Sequence, residues 1–256
     1  MEKTVDGITV HDAVRGDGPY VFLLHGWGSN LSLFNDIAET LSARYTVVSL
    51  DFPGCGGSSE PEQPWGMDEY LHFTKEFIST FDTDEIILLG HSHGGRVGIG
   101  LAADKDLPFR ITQLILVDSA GIIPRRTLSY HLRVRTYKIG KALLNLPLAT
   151  TLFPSALSGF QKKLGSADYQ AASPVMRASL VKVVNTDMEP LLSQITAETL
   201  LIWGENDTDT PVSDGQRMEK AIPGSGLVVL PDAGHYCFLD QKFAFARVME
   251  SFLKIG

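Results

Sequence analysis

The stretch GHSHGGR, residues 90–96, sets one serine between two histidines and brackets them with glycines. It follows an apolar run, EIILL (85–89), and leads into RVGIGLAA (96–103), a run suited to a helix. A G-x-S-x-G sequence between a strand and a helix is the setting of a nucleophile elbow, a turn that projects its serine outward. Gly90 and Gly94 relieve the crowding such a turn creates. Ser92 then stands at a helix N-terminus, where backbone N–H groups favour developing negative charge. Gly95, Gly98 and Gly100 let the helix lie close to the sheet. The alternative is a tight turn with no chemistry.

On either side of this elbow the chain alternates strand and helix. YVFLL (20–24), TVVSL (46–50), ITQLILV (111–117), TLLIW (199–203) and LVVL (227–230) are nearly all apolar, as strands buried on both faces are. TVDGITV (4–10) reads as a leading hairpin. Between the strands run helical stripes: Phe34, Ile37, Ala38 and Leu41; Tyr70, Phe73, Phe77 and Phe81; Phe245, Val248, Met249 and Phe252. The expected fold is α/β, a mostly parallel central sheet flanked by helices. The rhythm breaks between ITQLILV and TLLIW. RTYKIGKALLNL, GFQKKLG and SPVMRASLVKVV read there as helices punctuated by Pro147, Pro154, Gly159 and Pro174. This predicts a helical insertion over 121–190, dividing a core domain of 1–120 and 191–256.

Composition narrows the function classes. The net charge of -8 argues against a nucleic-acid partner. Two cysteines, Cys55 and Cys237, without CxxC, exclude a disulfide scaffold and a structural zinc site. There is no basic-then-apolar leader, and no apolar run nears the ~20 residues that span a bilayer. A soluble, cytoplasmic protein with a small-molecule substrate and no membrane partner is expected; oligomeric state is not encoded legibly. Within 121–190, ten basic residues face three acids. That segment carries +7 and the remainder −15.

Three further loops carry candidate chemistry. LLHGWGSN (23–30) ends an early strand in glycines, so the N–H of Trp27 can serve an oxyanion hole with the N–H of His93. TLLIWGENDTDTP runs from a strand into a turn holding Asp207 and Asp209, with Pro211 opening a helix. LVVLPDAGHYCFLD runs from the next strand into a turn holding His235. Ser92, an aspartate and His235 thus follow the carboxyl ends of three strands, where open α/β sheets place ligand sites. The side chains of His91 and His93 diverge from the hydroxyl between them. His235 is therefore the expected base, His93 supplies its backbone amide, and His91 packs.

With HGWG (25–28), DFPGCGGS (51–58), GHSHGG (90–95), GENDTDTP (204–211) and DAGH (232–235) in this order, the chain resembles the α/β-hydrolase family, serine branch, over essentially its full length. Cys55 stands where histidine is commoner. The resemblance implies that 121–190 is a helical cap inserted after the sixth strand. It favours Asp207, three residues after Gly204 and four before Pro211, over Asp209, with Asp118 as a further alternative. A serine at the elbow points away from the haloalkane dehalogenase and epoxide hydrolase branches.

The expected chemistry is hydrolysis of a small ester or related carbonyl substrate, carboxylated or neutral, through an acyl-enzyme, with Ser92, His235 and Asp207 as catalytic triad and no metal or organic cofactor. Arg125, Arg126, Arg133 and Arg135 are candidates for binding a substrate carboxylate if they face the cleft; a solvated helix face is the plainer reading of the same cations. Arg96, one turn after Ser92, is another candidate, with an ion pair beneath the elbow as its alternative. The GGR sequence is similar to the elbow of menaquinone-pathway lyases, and elbow and cap look like those of meta-cleavage C–C hydrolases, which act on anionic dienoates. A signalling protein that binds ligand in a capped pocket and retains the triad is the third reading.

Overall fold

The computed structural model describes residues 3–123, Arg135 and 172–254. The chain divides into two compact units, Met1–Ile123 with Pro174–Gly256, and Pro124–Ser173. In the first, β1 (Lys3–Val5) and β2 (Ile8–Val10) pair with each other as the expected hairpin. The main sheet has seven strands: β3 (Asp12–Arg15), β4 (Tyr20–Leu24), β5 (Thr46–Leu50), β6 (Glu85–His91), β7 (Arg110–Val117), β8 (Glu198–Gly204) and β9 (Gly226–Leu230). Their order is β3-β5-β4-β6-β7-β8-β9, parallel throughout except for β3 at one edge.

The apolar strands owe their continuity to two cores. Alternate side chains point to opposite faces of a strand. Phe22, Leu24, Leu88, Leu114, Leu116 and Trp203 therefore join one cluster, and Val21, Leu23, Leu89, Ile115, Val117 and Ile202 the other. Onto the first face pack α2 (Met67–Ser79), α3 (His93–Ala103) and α5 (Val212–Ala221), through residues such as Phe73, Val97 and Met218. Onto the second pack α1 (Asn35–Leu41) and α6 (Lys242–Leu253), through Ala38, Phe245 and Met249.

One expectation about the insertion needs correction. The second unit follows β7. Its far boundary is Ser173 rather than 190. Residues Pro174–Val184 form α4, whose Met176, Ser179 and Val183 are buried within the first unit. Ser179 Oγ accepts a hydrogen bond from the Trp65 amide at 2.9 Å, tying α4 to the loop before α2. The sequences RTYKIGKALLNL and GFQKKLG lie outside the described residues, Arg135 excepted. Among the described residues no helix is long and apolar enough to cross a membrane.

The register aligns the carboxyl ends of the inner strands: Leu24 pairs with Gly90, Gly90 with Leu116, Val117 with Ile202, and Gly204 with Leu230. The chain moves outward from β4 to β5 and then crosses back to β6. This makes the β4/β6 boundary the switch point at which a crevice opens. His25, Ser92 and Asp118 directly follow three adjacent strands at this edge.

Candidate active site

Ser92 joins β6 to α3 with φ 50° and ψ −111°, a region that side chains rarely enter. The surroundings impose it. The Ser92 amide donates to the Val117 carbonyl at 3.1 Å, and its carbonyl accepts from Arg96 at 3.1 Å and Ala120 at 3.0 Å. Gly94 donates to the His25 carbonyl at 3.1 Å, lashing the elbow to the loop after β4. A side chain at Gly94 would collide with the Leu24 carbonyl. Close approach, more than backbone freedom, fixes that glycine.

The loop after β4 is set by His25. Its Nδ1 lies 2.7 Å from the Gly26 carbonyl, which only accepts, so Nδ1 carries the proton. Its Nε2 accepts from the Phe52 amide at 3.0 Å. Burial holds this imidazole below its ordinary pKa, against the Gly26 bond and the Asp51 charge, and keeps it neutral. The Gly26 carbonyl also accepts from Ser29 at 3.2 Å. In a trans peptide the C=O and N–H point opposite ways, so pinning that carbonyl turns the Trp27 N–H away from His25. A Cβ added to Gly26 would lie 3.2 Å from Ser92 Cβ, so this peptide borders the serine. The Trp27 and His93 amides donate to no described group. Asp51 holds the loop from outside, accepting from Leu31 at 2.6 Å and Gly57 at 2.7 Å.

Asp207 and His235 meet: Oδ2 lies 2.8 Å from Nδ1. The other Asp207 oxygen accepts from the Asp209 amide at 2.8 Å and the Thr210 amide at 3.0 Å, and the Thr210 hydroxyl lies 2.7 Å from Oδ2. Burial pushes the carboxyl up, but the bonds from His235 and Thr210 outweigh it and hold it below the usual range. Burial likewise pushes His235 down, and the bond and charge of Asp207 reverse this, raising the imidazole above its ordinary value. Of the two aspartates in the turn, Asp207 is the buried one that reaches the histidine; Asp209 is exposed. Asp207, Asp209 and His235 bring ligand atoms within 4.8 Å of one another. Both Asp207 oxygens already accept hydrogen bonds, which a cation would have to break. The Ser92 hydroxyl makes no hydrogen bond to His235 here, and catalytic bonds often close only around substrate.

Asp118 has another part than orienting the base. Its Oδ1 accepts from the Gly204 amide at 2.8 Å, its Oδ2 from the Cys237 amide at 3.0 Å, and its carbonyl from the Thr210 hydroxyl at 3.0 Å. One buried residue, itself at φ 42°, thus ties the end of β7 to the turns carrying Asp207 and His235. Burial pushes its carboxyl up to about 6, against the bonds from Cys237 and Gly204.

The proposed anion binders fare differently. Arg96 is buried, and its Nη1 donates to the Val183 carbonyl at 2.9 Å and to the Thr186 carbonyl. It caps the C-terminal end of α4, where unpaired carbonyls attract a cation. Arg135 is helical and exposed; Arg125, Arg126 and Arg133 lie outside the described residues. Sequence reasoning missed His25 and Asp118 as organisers. The only signal was their place directly after a strand.

The profile of the Alpha/beta hydrolase family matches residues 21–248. The chain is 28% identical over 256 residues to a pimeloyl-[acyl-carrier protein] methyl ester esterase of Nitrosomonas europaea, covering 95% of this chain and 99% of that one. It is 27% identical over 242 residues to a 2-(acetamidomethylene)succinate hydrolase of Mesorhizobium japonicum, covering 90% and 86%. Among solved structures, the enol-lactonase from Burkholderia xenovorans LB400 superposes with a TM-score of 0.76 at 23% identity, over 99% of this chain and 100% of that one. At that identity the likeness concerns the fold.

Proposed function

The chain belongs to the alpha/beta hydrolase family, and on that premise we propose that it is a serine hydrolase cleaving a small ester through an acyl-enzyme. The observation that carries this reading is the 2.8 Å Asp207–His235 pair, on the loops next to a serine held at a strained elbow. Ser92 Oγ attacks the ester carbonyl while His235 Nε2 takes its proton. Asp207 holds Nδ1–H and stabilises the imidazolium. The Trp27 and His93 amides receive the oxyanion, each contributing roughly 3–4 kcal/mol. The tetrahedral intermediate collapses, His235 protonates the departing alkoxide, and the alcohol leaves. His235 then activates a water that releases the acid. The names of the two curated relatives, an ester esterase and a succinate hydrolase, agree with ester chemistry and with an acid group in the substrate. Arg125, Arg126, Arg133 and Arg135 in the basic 121–190 segment are the proposed partners of that acid group.

The test is p-nitrophenyl acetate turnover, with fluorophosphonate labelling, of wild type and Ser92→Ala. Loss of both in the variant, with melting unchanged, is expected. Undiminished turnover in Ser92→Ala would overturn the reading. Charge reversal of the four arginines should raise KM for a carboxylated ester far more than for its neutral analogue; equal effects would remove them from the site.

A further inference from the structure

His91 does more than pack. It closes β6 immediately before Ser92 and is fully buried. Its Nε2 lies 2.8 Å from the backbone carbonyl of His235. A carbonyl only accepts, so Nε2 carries the proton and Nδ1 is a bare, buried lone pair with no partner among the described residues. Gly26 leaves room for that nitrogen: a Cβ there would stand 3.0 Å from it. The imidazole ring lies against the rings of His235 at 4.9 Å, Tyr236 at 5.1 Å and Phe238 at 5.2 Å between centroids.

The base turn is anchored on both flanks of His235. Ala233 accepts from the Asn206 amide at 2.8 Å, Gly234 donates to Asp240 at 2.8 Å, and Cys237 donates to Asp118 at 3.0 Å. The carbonyl of His235 itself is held by His91. We propose that His91 is a positioning residue for the base: its Nε2–H grips the His235 carbonyl and fixes the imidazole of residue 235 relative to the hydroxyl of residue 92. Because 91 and 92 are consecutive, nucleophile and base are joined by one peptide unit, one side chain and one hydrogen bond. Their separation is then set by the frame before any substrate arrives. Burial and the neighbouring His235 push the His91 imidazole down to about 3, so the donor tautomer persists at working pH. An added cation beside the base is thereby avoided.

This inference rests on the serine-hydrolase reading, and its test separates the two. His91→Leu keeps bulk and removes the donor; His91→Gln keeps an N–H at similar reach. With p-nitrophenyl acetate, His91→Leu should lower kcat about ten- to a hundred-fold, as small misplacements of reacting groups do, with KM little changed. His91→Gln should recover most of that loss. An unchanged kcat in His91→Leu, or a Gln variant as impaired as Leu, overturns the proposal. If His91→Leu fails to fold, nitrogen-15 spectra of the wild-type histidines decide, assigned by the His91→Gln difference. His91 should stay neutral with its proton on Nε2 from pH 5 to 8; a titrating ring or a proton on Nδ1 overturns it. Absence of ester turnover in wild type would sink the hydrolase reading alone, leaving the spectra to judge the brace.

Discussion

The strain at Ser92 should be measurable as stability given up for the site. A non-glycine residue at φ 50°, ψ −111° costs about 1–3 kcal/mol. Ser92→Ala keeps the Cβ that creates the conflict and loses only a half-buried hydroxyl. Ser92→Gly removes the conflict but loosens the unfolded chain, at about 0.5–1 kcal/mol. The difference favours the glycine variant over the alanine variant by about 1 kcal/mol, within roughly 0–2.5. For a chain of this length, that is a rise in Tm of about 2–4 °C. Urea titrations and thermal melts of the two variants, both inactive toward p-nitrophenyl acetate, measure it directly. The comparison isolates the Cβ, because neither variant has the hydroxyl. A glycine variant that melts below the alanine variant would refute the strain argument, and with it the claim that the hydrogen bonds to Val117, Arg96 and Ala120 force the elbow.

Asp207→Asn removes the Asp207 bond and charge that raise His235, and leaves burial, which lowers it, against the lesser pull of Asp118 and Asp209. The acid limb of kcat/KM should move to lower pH, with kcat falling about 10³-fold or more; a pH–rate profile reads both. Asp118→Ala leaves the amides of Gly204 and Cys237 unsatisfied, at about 1–3 kcal/mol each, so urea unfolding should show a loss of about 2–6 kcal/mol. Gly94→Ala drives a methyl into the Leu24 carbonyl and should cost about 2–3 kcal/mol in the same assay. Arg96→Met should destabilise by about 1.5–3 kcal/mol through the abandoned carbonyls of Val183 and Thr186. It should leave the KM ratio of carboxylated to neutral ester unchanged; a selective rise for the carboxylated ester would return Arg96 to the substrate.

What the sequence made legible follows from what leaves a local pattern. β4 to β8 read as strands because both faces are buried, and each of Ser92, Asp207 and His235 follows a strand in a turn rich in small or polar residues. β3 left no such mark. Asp12–Arg15 is half-exposed to exposed, and its strand state comes from antiparallel pairing with β5 at the sheet edge. The far end of the insertion is illegible for a related reason. The periodicity of residues 174–184 gives a helix correctly, but periodicity does not say which unit covers its apolar face. Met176 and Val183 are buried and the core's own Arg96 caps the helix end, which only the folded chain shows.

The organisers of the site were the least legible part, for a physical reason. His25, His91 and Asp118 act by hydrogen bonds from buried side chains to the backbone of distant loops. Such a bond places no demand on the partner's side chain: Phe52, Gly204, Cys237 and His235 are gripped by their amides or carbonyls. No residue type at the far end signals the contact. A motif therefore reveals the groups that react, whose side chains the chemistry specifies, and hides those that hold them in place. The buried polar residue following or ending an apolar strand is the trace that remains. His25 and Asp118 directly follow β4 and β7, and His91 ends β6 beside Ser92. Burying a polar side chain with no partner at all is costly, and each of these three binds backbone. The backbone they bind includes the turns that carry Asp207 and His235 and the loop that carries Trp27.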